Sequence, residues 1–383
     1  MTETYVVDNN MQMIKCYAMV LLLCSFTLIP HIAAAGDLKQ FKLGGTIQVD
    51  AVYVDDDKSE LIPGSGTEIR RARFYIAGQH EKTWQYKLRV GFEEDDLSVK
   101  DAYLKHKIAG IKLGLFKPSF SIDEMTSSKF ITFMERALPN AFKPGRRIGV
   151  GYHSYTNRFN LNFGLFGQGS ADGDNGDEGV GVNTRITSPV VFRKNSLLHL
   201  GFNLTAEKPE DDINNSISFD SRPESHITGN IVDTGIIPNI ETIVRTGVEI
   251  SSVMQSLSIQ AEFIMVDLLK NNASNNLRFN GSYIYASWFV TGEQRPYKPE
   301  HGVFGRIKPM TERGAWELAL RYSDIDLNDD VINGGKASNM TFGVNWYSSL
   351  NTRFSMNYIN VNTEDSNIFG NPDIMQFRAQ IDF

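Results

Sequence analysis

Apolar and polar residues alternate with a period of two along most of this chain. Every second residue is apolar in segments 41–53, 84–92, 159–165, 198–204, 257–265, 316–322, 342–346, 354–358 and 375–383. Such alternation gives each segment one apolar and one polar face, which is typical of a β-strand. Counting the candidate strands along the chain gives about 16.

The apolar faces could meet a second sheet in a soluble sandwich or lipid in an outer-membrane barrel. Aromatic residues gather near the strand ends, as an interfacial girdle requires, and the last strand ends on Phe383. Connections alternate between short ones (252–256, 347–351) and long polar ones (168–179, 206–240, 267–277, 324–339). These features predict an all-β fold, a transmembrane antiparallel up-and-down β-barrel of about 16 strands, a size that leaves an aqueous channel.

The N-terminal segment has the pattern of a secretory signal peptide. Lys15 precedes an apolar run at 18–29, and the small residues 33–35 follow it. We therefore expect a cleaved signal peptide at 1–35 and one barrel domain at 36–383. Both cysteines lie within the expected signal peptide, so the mature chain is expected to have no disulfide, no thiolate metal site and no cysteine nucleophile. A lipoprotein anchor at Cys24 is disfavoured by the bulky Leu23 before it.

The charge pattern of the predicted polar face points to anions. The whole chain has a net charge of −7, which argues against a nucleic-acid partner. On the face opposite the lipid, however, the alternation places more basic residues (Arg71, Arg73, Lys87, Arg89, Lys105, Lys112, Arg147, Arg185, Arg245, Arg321, Arg378) than acidic ones (Glu93, Asp101, Glu249, Glu262, Glu317). A positive lumen concentrates anions. The alternative is that these charges pair across strands and only solvate the wall.

The alternation stops between residues 117 and 144. This segment is too long for a turn and too apolar for an exposed loop, so we expect a third loop that folds into the barrel and narrows it. There Ser127 and Ser128 could donate hydroxyls to a partly dehydrated anion, with positive charge from Lys129, Arg136, Arg146 and Arg147. The alternative is a surface helix or a plug with no ligand role.

Ten short stretches resemble the phosphate-selective porin O and P family of outer-membrane channels. They are residues 41–45, 69–73, 84–88, 100–103, 126–136, 144–149, 291–298, 307–309, 314–318 and 343–347. The resemblance implies an outer-membrane barrel, usually a homotrimer, whose inward third loop builds a constriction for phosphate-like anions.

Carried over by position, the resemblance implies an anion site built from Arg70 and Arg71, the loop serines Ser127 and Ser128, and Lys308 or, less well matched, Lys298. Arg73, Lys129, Arg136 and Arg147 complete our candidate set. Adjacent residues of a strand face opposite ways, so Arg70 and Arg71 can both reach the lumen only if a bulge intervenes.

The chain also departs from the family pattern. Glu124 stands where the phosphate channels have a loop lysine, Lys100 where they have an aspartate, and Tyr53 where they have a pore arginine. Their cluster of exit arginines is reduced to Arg222 in the 206–240 loop.

The resulting functional prediction is passive diffusion of phosphate, polyphosphate or similar small anions, with no cofactor and no metal. A general porin of weak selectivity is the alternative. An enzyme is disfavoured because none of the seven histidines stands in a recognisable catalytic setting. An adhesin or receptor barrel is a third possibility, with loops 168–179 and 206–240 as its surface; the acidic first loop could bind Ca²⁺.

Overall fold

The computed structural model describes residues 40–55, 65–93, 96–167, 179–209, 215–270, 275–329, 331–364 and 371–383. The expected signal peptide at 1–35 and nearly all of the acidic loop 168–179 lie outside these ranges. Within them, no helix is long and apolar enough to cross a membrane.

Strands dominate the structure. They are β1 (Gln40–Asp55), β2 (Gly66–His80), β3 (Trp84–Glu93), β4 (Asp96–His106), β5 (Ile111–Phe116), β6 (Arg147–Tyr155), β7 (Asn160–Phe166), β8 (Gly181–Arg193), β9 (Ser196–Glu207), β10 (Asp220–Ser221), β11 (Val232–Asp233), β12 (Ile240–Met254), β13 (Leu257–Lys270), β14 (Leu277–Phe289), β15 (Tyr297–Lys298), β16 (Val303–Phe304), β17 (Ala315–Asp329), β18 (Ile332–Tyr347), β19 (Thr352–Glu364) and β20 (Asp373–Asp382). The helical turns are α1 (Ile122–Met125) and a 3₁₀ helix (Leu138–Phe142).

Sixteen of the described strands form one closed antiparallel barrel, and β10–β11 and β15–β16 are small hairpins apart from it. The barrel closes where β1 pairs with β20, for example at Thr46 and Asp382. The predicted up-and-down barrel is therefore confirmed. One predicted loop, 324–339, is wrong, because β17 and β18 run through it. Ile325, Leu327 and Ala337 are apolar on the lumen-facing side, where they pack in the cluster with Phe219, so the usual polarity of the two faces is reversed there.

The outer face of the barrel is apolar and exposed, which is the reverse of a soluble sheet. On β1, Phe41 and Leu43 are about half exposed, whereas the neighbouring lumen-facing Gln48 and Asp50 are buried. On β14, Ile284 and Trp288 face outward in the same way. An apolar exterior with a polar interior is the arrangement that a lipid-embedded barrel requires.

Three described segments fold into the lumen and pack on its wall: the third loop (117–146), the fifth loop (215–239) and the segment 290–314. We call the last one the periplasmic segment because it lies on the side of the short turns, which face the periplasm in barrels of this kind. The third loop buries Phe120, Leu138 and Phe142 in a cluster with Phe219 of the fifth loop. The inward third loop is thus confirmed.

Wall glycines make room for the third loop. A side chain at Gly281 would lie 3.1 Å from Pro139, and one at Gly343 would lie 3.3 Å from Phe133. Glycine at both positions therefore lets the loop approach the wall closely.

Candidate functional site

A basic cavity of about 640 Å³ lies between the wall formed by β2 to β5 and the third and fifth loops. We call this the basic cavity. Its lining includes twelve basic residues: Arg70, Arg71, Arg73, Lys87, Arg89, Lys100, Lys112, Lys117, Arg136, Lys143, Arg146 and Arg222. Five acidic residues also line it: Asp101, Glu124, Glu135, Asp220 and Glu224. The whole chain is acidic at −7, so the positive excess of seven is a local property of this cavity.

The paired arginines reach the lumen through a bulge in β2. Gln48 of β1 faces Arg71, but Asp50 faces Glu68, so two residues of β2 are accommodated opposite one of β1. As a result both Arg70 and Arg71 bind the carboxylate of Glu135, at 2.8 Å and 3.2 Å. The bulge that the resemblance required is present.

Glu135 of the third loop holds three arginines together. Besides Arg70 and Arg71 it accepts a 2.7 Å bond from Arg378, which also binds Asp50. Burial raises the pKa of the Glu135 carboxyl, but the three arginines lower it more, so this pKa lies well below its ordinary value. Glu135 is therefore ionised, but its single negative charge neutralises only part of the positive charge of the three arginines.

A second group of cations surrounds Asp101 on β4. Lys87 (3.4 Å), Arg89 (3.3 Å) and Arg146 (3.4 Å) share its one carboxylate. An aspartate thus lies in the cavity, one position after Lys100, which lines the cavity as well. Lys100 and Asp101 therefore both face the basic cavity, and the departure at Lys100 stays a prediction.

The loop serines lie at the cavity, next to Arg73. Ser127 and Ser128 both line it, and Arg73 Nη1 is 3.5 Å from the Ser128 hydroxyl. The serines sit just after α1, whose position is set by Glu262 of the wall. That carboxylate accepts bonds from the Ser121 hydroxyl (3.2 Å) and from the backbone N–H groups of residues 122 and 123 (3.1 and 2.9 Å).

Glu124 is neutralised within the third loop. Its carboxylate binds Lys117 and lies 3.1 Å from Arg136 Nε. Burial raises the pKa of the Glu124 carboxyl, but Lys117 and Arg136 lower it more, so this pKa is below its ordinary value. Arg136 also donates to the carbonyls of residues 123, 124 and 126 at 2.7–3.1 Å. Arg136 therefore stabilises the loop as well as lining the cavity.

Three further candidates lie away from the basic cavity. Lys129 lies 3.4 Å from Asp382 beside a small second cavity. Arg147 lies 3.7 Å from Glu207 and lines a separate cavity of about 270 Å³. Lys308 is exposed and lines none of these three cavities. Tyr53, in place of a pore arginine, is 59% exposed.

Other basic residues of the predicted lumen are paired and buried. Arg185 binds Glu249 at 2.7 Å, Arg245 binds Glu207 at 2.6 Å, and Arg321 binds Glu224. On this side of the barrel the alternative interpretation, charges that pair across the wall, describes the structure. The sequence pattern did not identify Glu135 and Glu224 as lumen residues, because both lie in loops, where alternation cannot predict the direction of a side chain.

Comparisons with known proteins agree with this geometry. The family model "Phosphate-selective porin O and P" matches residues 41–383. Porin O of Pseudomonas aeruginosa is 26% identical over 373 residues, covering 85% of this chain and 83% of that protein.

Two solved structures share the fold. An anion-selective porin from Comamonas acidovorans is similar with a TM-score of 0.57 at 12% identity, covering 90% of this chain and 99% of that one. The trimer form of OmpT, an outer membrane protein of Vibrio cholerae, has a TM-score of 0.56 at 11% identity, covering 90% and 99%.

Proposed function

The chain belongs to the phosphate-selective porin O and P family, and on that premise we propose that it conducts small anions, phosphate and polyphosphate among them, passively across the outer membrane. The observation that carries this proposal is the basic cavity, where twelve basic residues face five acidic ones. A narrow positive passage between low-dielectric walls attracts anions and repels cations. We further propose that the chain reaches the outer membrane through a cleaved signal peptide at 1–35.

Selectivity in this proposal comes from hydrogen bonds that replace part of the hydration shell of the anion. Arg73 and Ser128 provide adjacent donors, and Lys87 and Arg89 share Asp101 nearby. Charge-assisted bonds of this kind are strong enough to admit a dehydrated oxyanion. Because several cations share each carboxylate, their positive charge is not fully neutralised. The anion can therefore pass from one cation to the next, as conduction requires. Ser127, with Arg70 and Arg71, completes the proposed site.

Phosphate titration of the chloride current tests the phosphate component of the proposal. We expect phosphate to block the current of the purified barrel in planar bilayers at concentrations far below those of chloride. Block of the same current by sulfate, a tetrahedral anion that donates no hydrogen bond at neutral pH, is measured for comparison. Chloride current that phosphate does not affect would reduce the proposal to the alternative, a general porin of weak selectivity.

Neutralising Glu124 is expected to increase anion selectivity. The Glu124→Gln variant removes one negative charge from the basic cavity and releases Lys117, while Arg136 keeps its three bonds to loop carbonyls. The Glu124 carboxyl is ionised in the wild type, so the variant loses one negative charge. Burial lowers the pKa of Lys117 to about 7 even beside Glu124, so Lys117 gives up part of its own charge in the variant and the net gain in positive charge is less than one unit. We expect a reversal potential shifted further toward chloride and phosphate block strengthened by about tenfold, the equivalent of 1.4 kcal/mol. A shift toward potassium would contradict this assignment.

We also propose a homotrimer, because part of the barrel wall is too short to span a membrane alone. β5 has six residues and β7 has seven, whereas a spanning strand needs about 9–11. Contact with neighbouring copies would cover the barrel wall at the short strands β5 and β7. We expect about three chains per particle by analytical ultracentrifugation. Val150→Arg on β6 should lower this number, whereas Phe342→Arg on the longer β18 should not. Both side chains are exposed on the outer face. A monomeric wild type would rule the trimer out.

Two other functions are less well supported. A receptor or adhesin barrel needs large exposed loops, but the described part of the fifth loop packs inside the lumen. Loop 168–178 and its suggested Ca²⁺ site lie outside the described residues. A catalytic role is not part of this proposal, since the family consists of porins.

A further inference from the structure

The periplasmic segment is firmly attached to the lumen wall. The backbone carbonyls of residues 299–302 at its tip all accept bonds from wall side chains. Asn160 donates to residue 299 at 3.5 Å, and the His153 Nε2 contacts residue 300 at 2.8 Å. Arg185 donates to residues 301 and 302 at 3.3 and 2.8 Å. A segment held at four consecutive carbonyls is a fixed support for whatever rests on it.

The third loop contacts this support through Arg295, while Arg353 and Asn345 of the wall donate directly to the carbonyls of residues 131 and 132. The Arg295 guanidinium donates to the Thr132 hydroxyl and, at 3.4 Å, to the carbonyl of Phe130. The guanidinium also stacks over the Phe304 ring at 4.5 Å and lies 5.5 Å from the Tyr285 ring. The residue is only 4% exposed and does not line the basic cavity. Arg295 also lies 4.0 Å from the Glu317 carboxylate of the wall. Its contacts therefore serve the loop and the wall rather than the anion.

Arg295 contacts the loop between its two functional ends. Ser127 and Ser128 lie just before Phe130, and Glu135, which gathers the paired arginines, lies just after Thr132. A displacement at residues 130–132 would move both groups at once. Within the stretch 291–298 that resembles the family, Arg295 donates hydrogen bonds to the third loop and Lys298 lies 5.9 Å from the Phe130 ring, so these contacts give that stretch a physical role.

We propose that Arg295 is a positioning residue for anion selectivity, which sets the depth of the third loop by clamping residues 130–132 to the periplasmic segment. This inference rests on the proposed function, because it assigns the source of the geometry at the proposed anion site. The planar guanidinium can stack and donate two bonds together, which a lysine ammonium cannot do. We therefore expect the clamp to require arginine.

The test compares Arg295→Met with Arg313→Met, the same change at an exposed position of the same segment. Two readouts are measured: phosphate block in bilayers, and hydrogen exchange of residues 126–136 in the purified barrel by mass spectrometry. We expect Arg295→Met to weaken block by about tenfold and to accelerate exchange in 126–136, leaving the strands unchanged. Arg313→Met should match the wild type, and Arg295→Lys should be intermediate.

A double-variant cycle with Thr132→Ala separates the clamp from general destabilisation. If Arg295 acts through Thr132, the two substitutions together should cost little more than either alone. Additive effects, or unchanged exchange in 126–136, would overturn the clamp. Should Arg295→Met not fold, Arg295→Lys and Thr132→Ala carry the same comparison. A wild type that phosphate does not block would refute the proposed function instead, while hydrogen exchange would still decide whether the clamp exists.

Discussion

We expect the Arg73→Gln substitution to raise the phosphate concentration that half-blocks the chloride current by about 10- to 100-fold. Arg73 lines the basic cavity and lies 3.5 Å from Ser128, so it can bond an anion held by the loop serines. A hydrogen bond to a charged group contributes about 1.5–3 kcal/mol. Glutamine preserves a donor but removes the charge, so the loss should appear mainly in phosphate block and in the reversal potential.

Arg147→Gln is the matched control for Arg73→Gln. Arg147 is also a lumen arginine, but it lines a different cavity and faces Glu207. We expect its substitution to change phosphate block by less than about threefold, since its side chain faces Glu207 in the other cavity and cannot bond an anion held by the loop serines. Equal effects of the two variants would mean that the overall lumen charge, and not a site at Arg73, determines block.

The second large effect is expected at Glu262, which holds α1 against the wall. Its carboxylate accepts four bonds, from Tyr283, the Ser121 hydroxyl and the backbone N–H groups of residues 122 and 123. Each buried donor left without an acceptor costs about 1–3 kcal/mol. Glu262→Ala should therefore release the start of the third loop. We expect larger single-channel conductance and loss of most phosphate block, while the barrel still forms.

Two further variants interpret the Glu262→Ala result. Glu262→Gln keeps a carbonyl acceptor of the same shape and should give an intermediate conductance. Glu241→Ala, at an exposed carboxylate on β12, should leave conductance and block unchanged. Conductance and block of Glu262→Ala that match those of the wild type would show that the third loop does not depend on this anchor.

The alternation of residues was sufficient to predict the barrel, because lipid outside and water inside impose opposite polarity on neighbouring side chains. Together with the resemblance, the alternation also required a bulge beside Arg70 and Arg71, and the structure has one. The same alternation misassigned 324–339, whose polar residues suggested a loop although Ile325 and Leu327 are buried.

The site could be predicted only in part. Arg73 and Asp101 lie on strands, so the alternation placed both in the lumen. Whether a lumen cation remains available to an anion or is neutralised depends on acidic residues such as Glu135 and Glu224. Inward loops carry these residues into the lumen. Lys308 was assigned by resemblance alone, and it is exposed away from the basic cavity. Its role at the anion site stays a prediction.

The most direct test of the central claim is the reversal potential of the wild-type channel in a planar bilayer under a KCl gradient at neutral pH. Since the basic cavity has an excess of positive charge although the chain is acidic overall, we predict a potential of the sign that marks chloride selectivity. Screening should weaken the selectivity as the salt concentration rises. A potential near zero or of the potassium-selective sign at low salt would contradict the proposal that this cavity governs conduction.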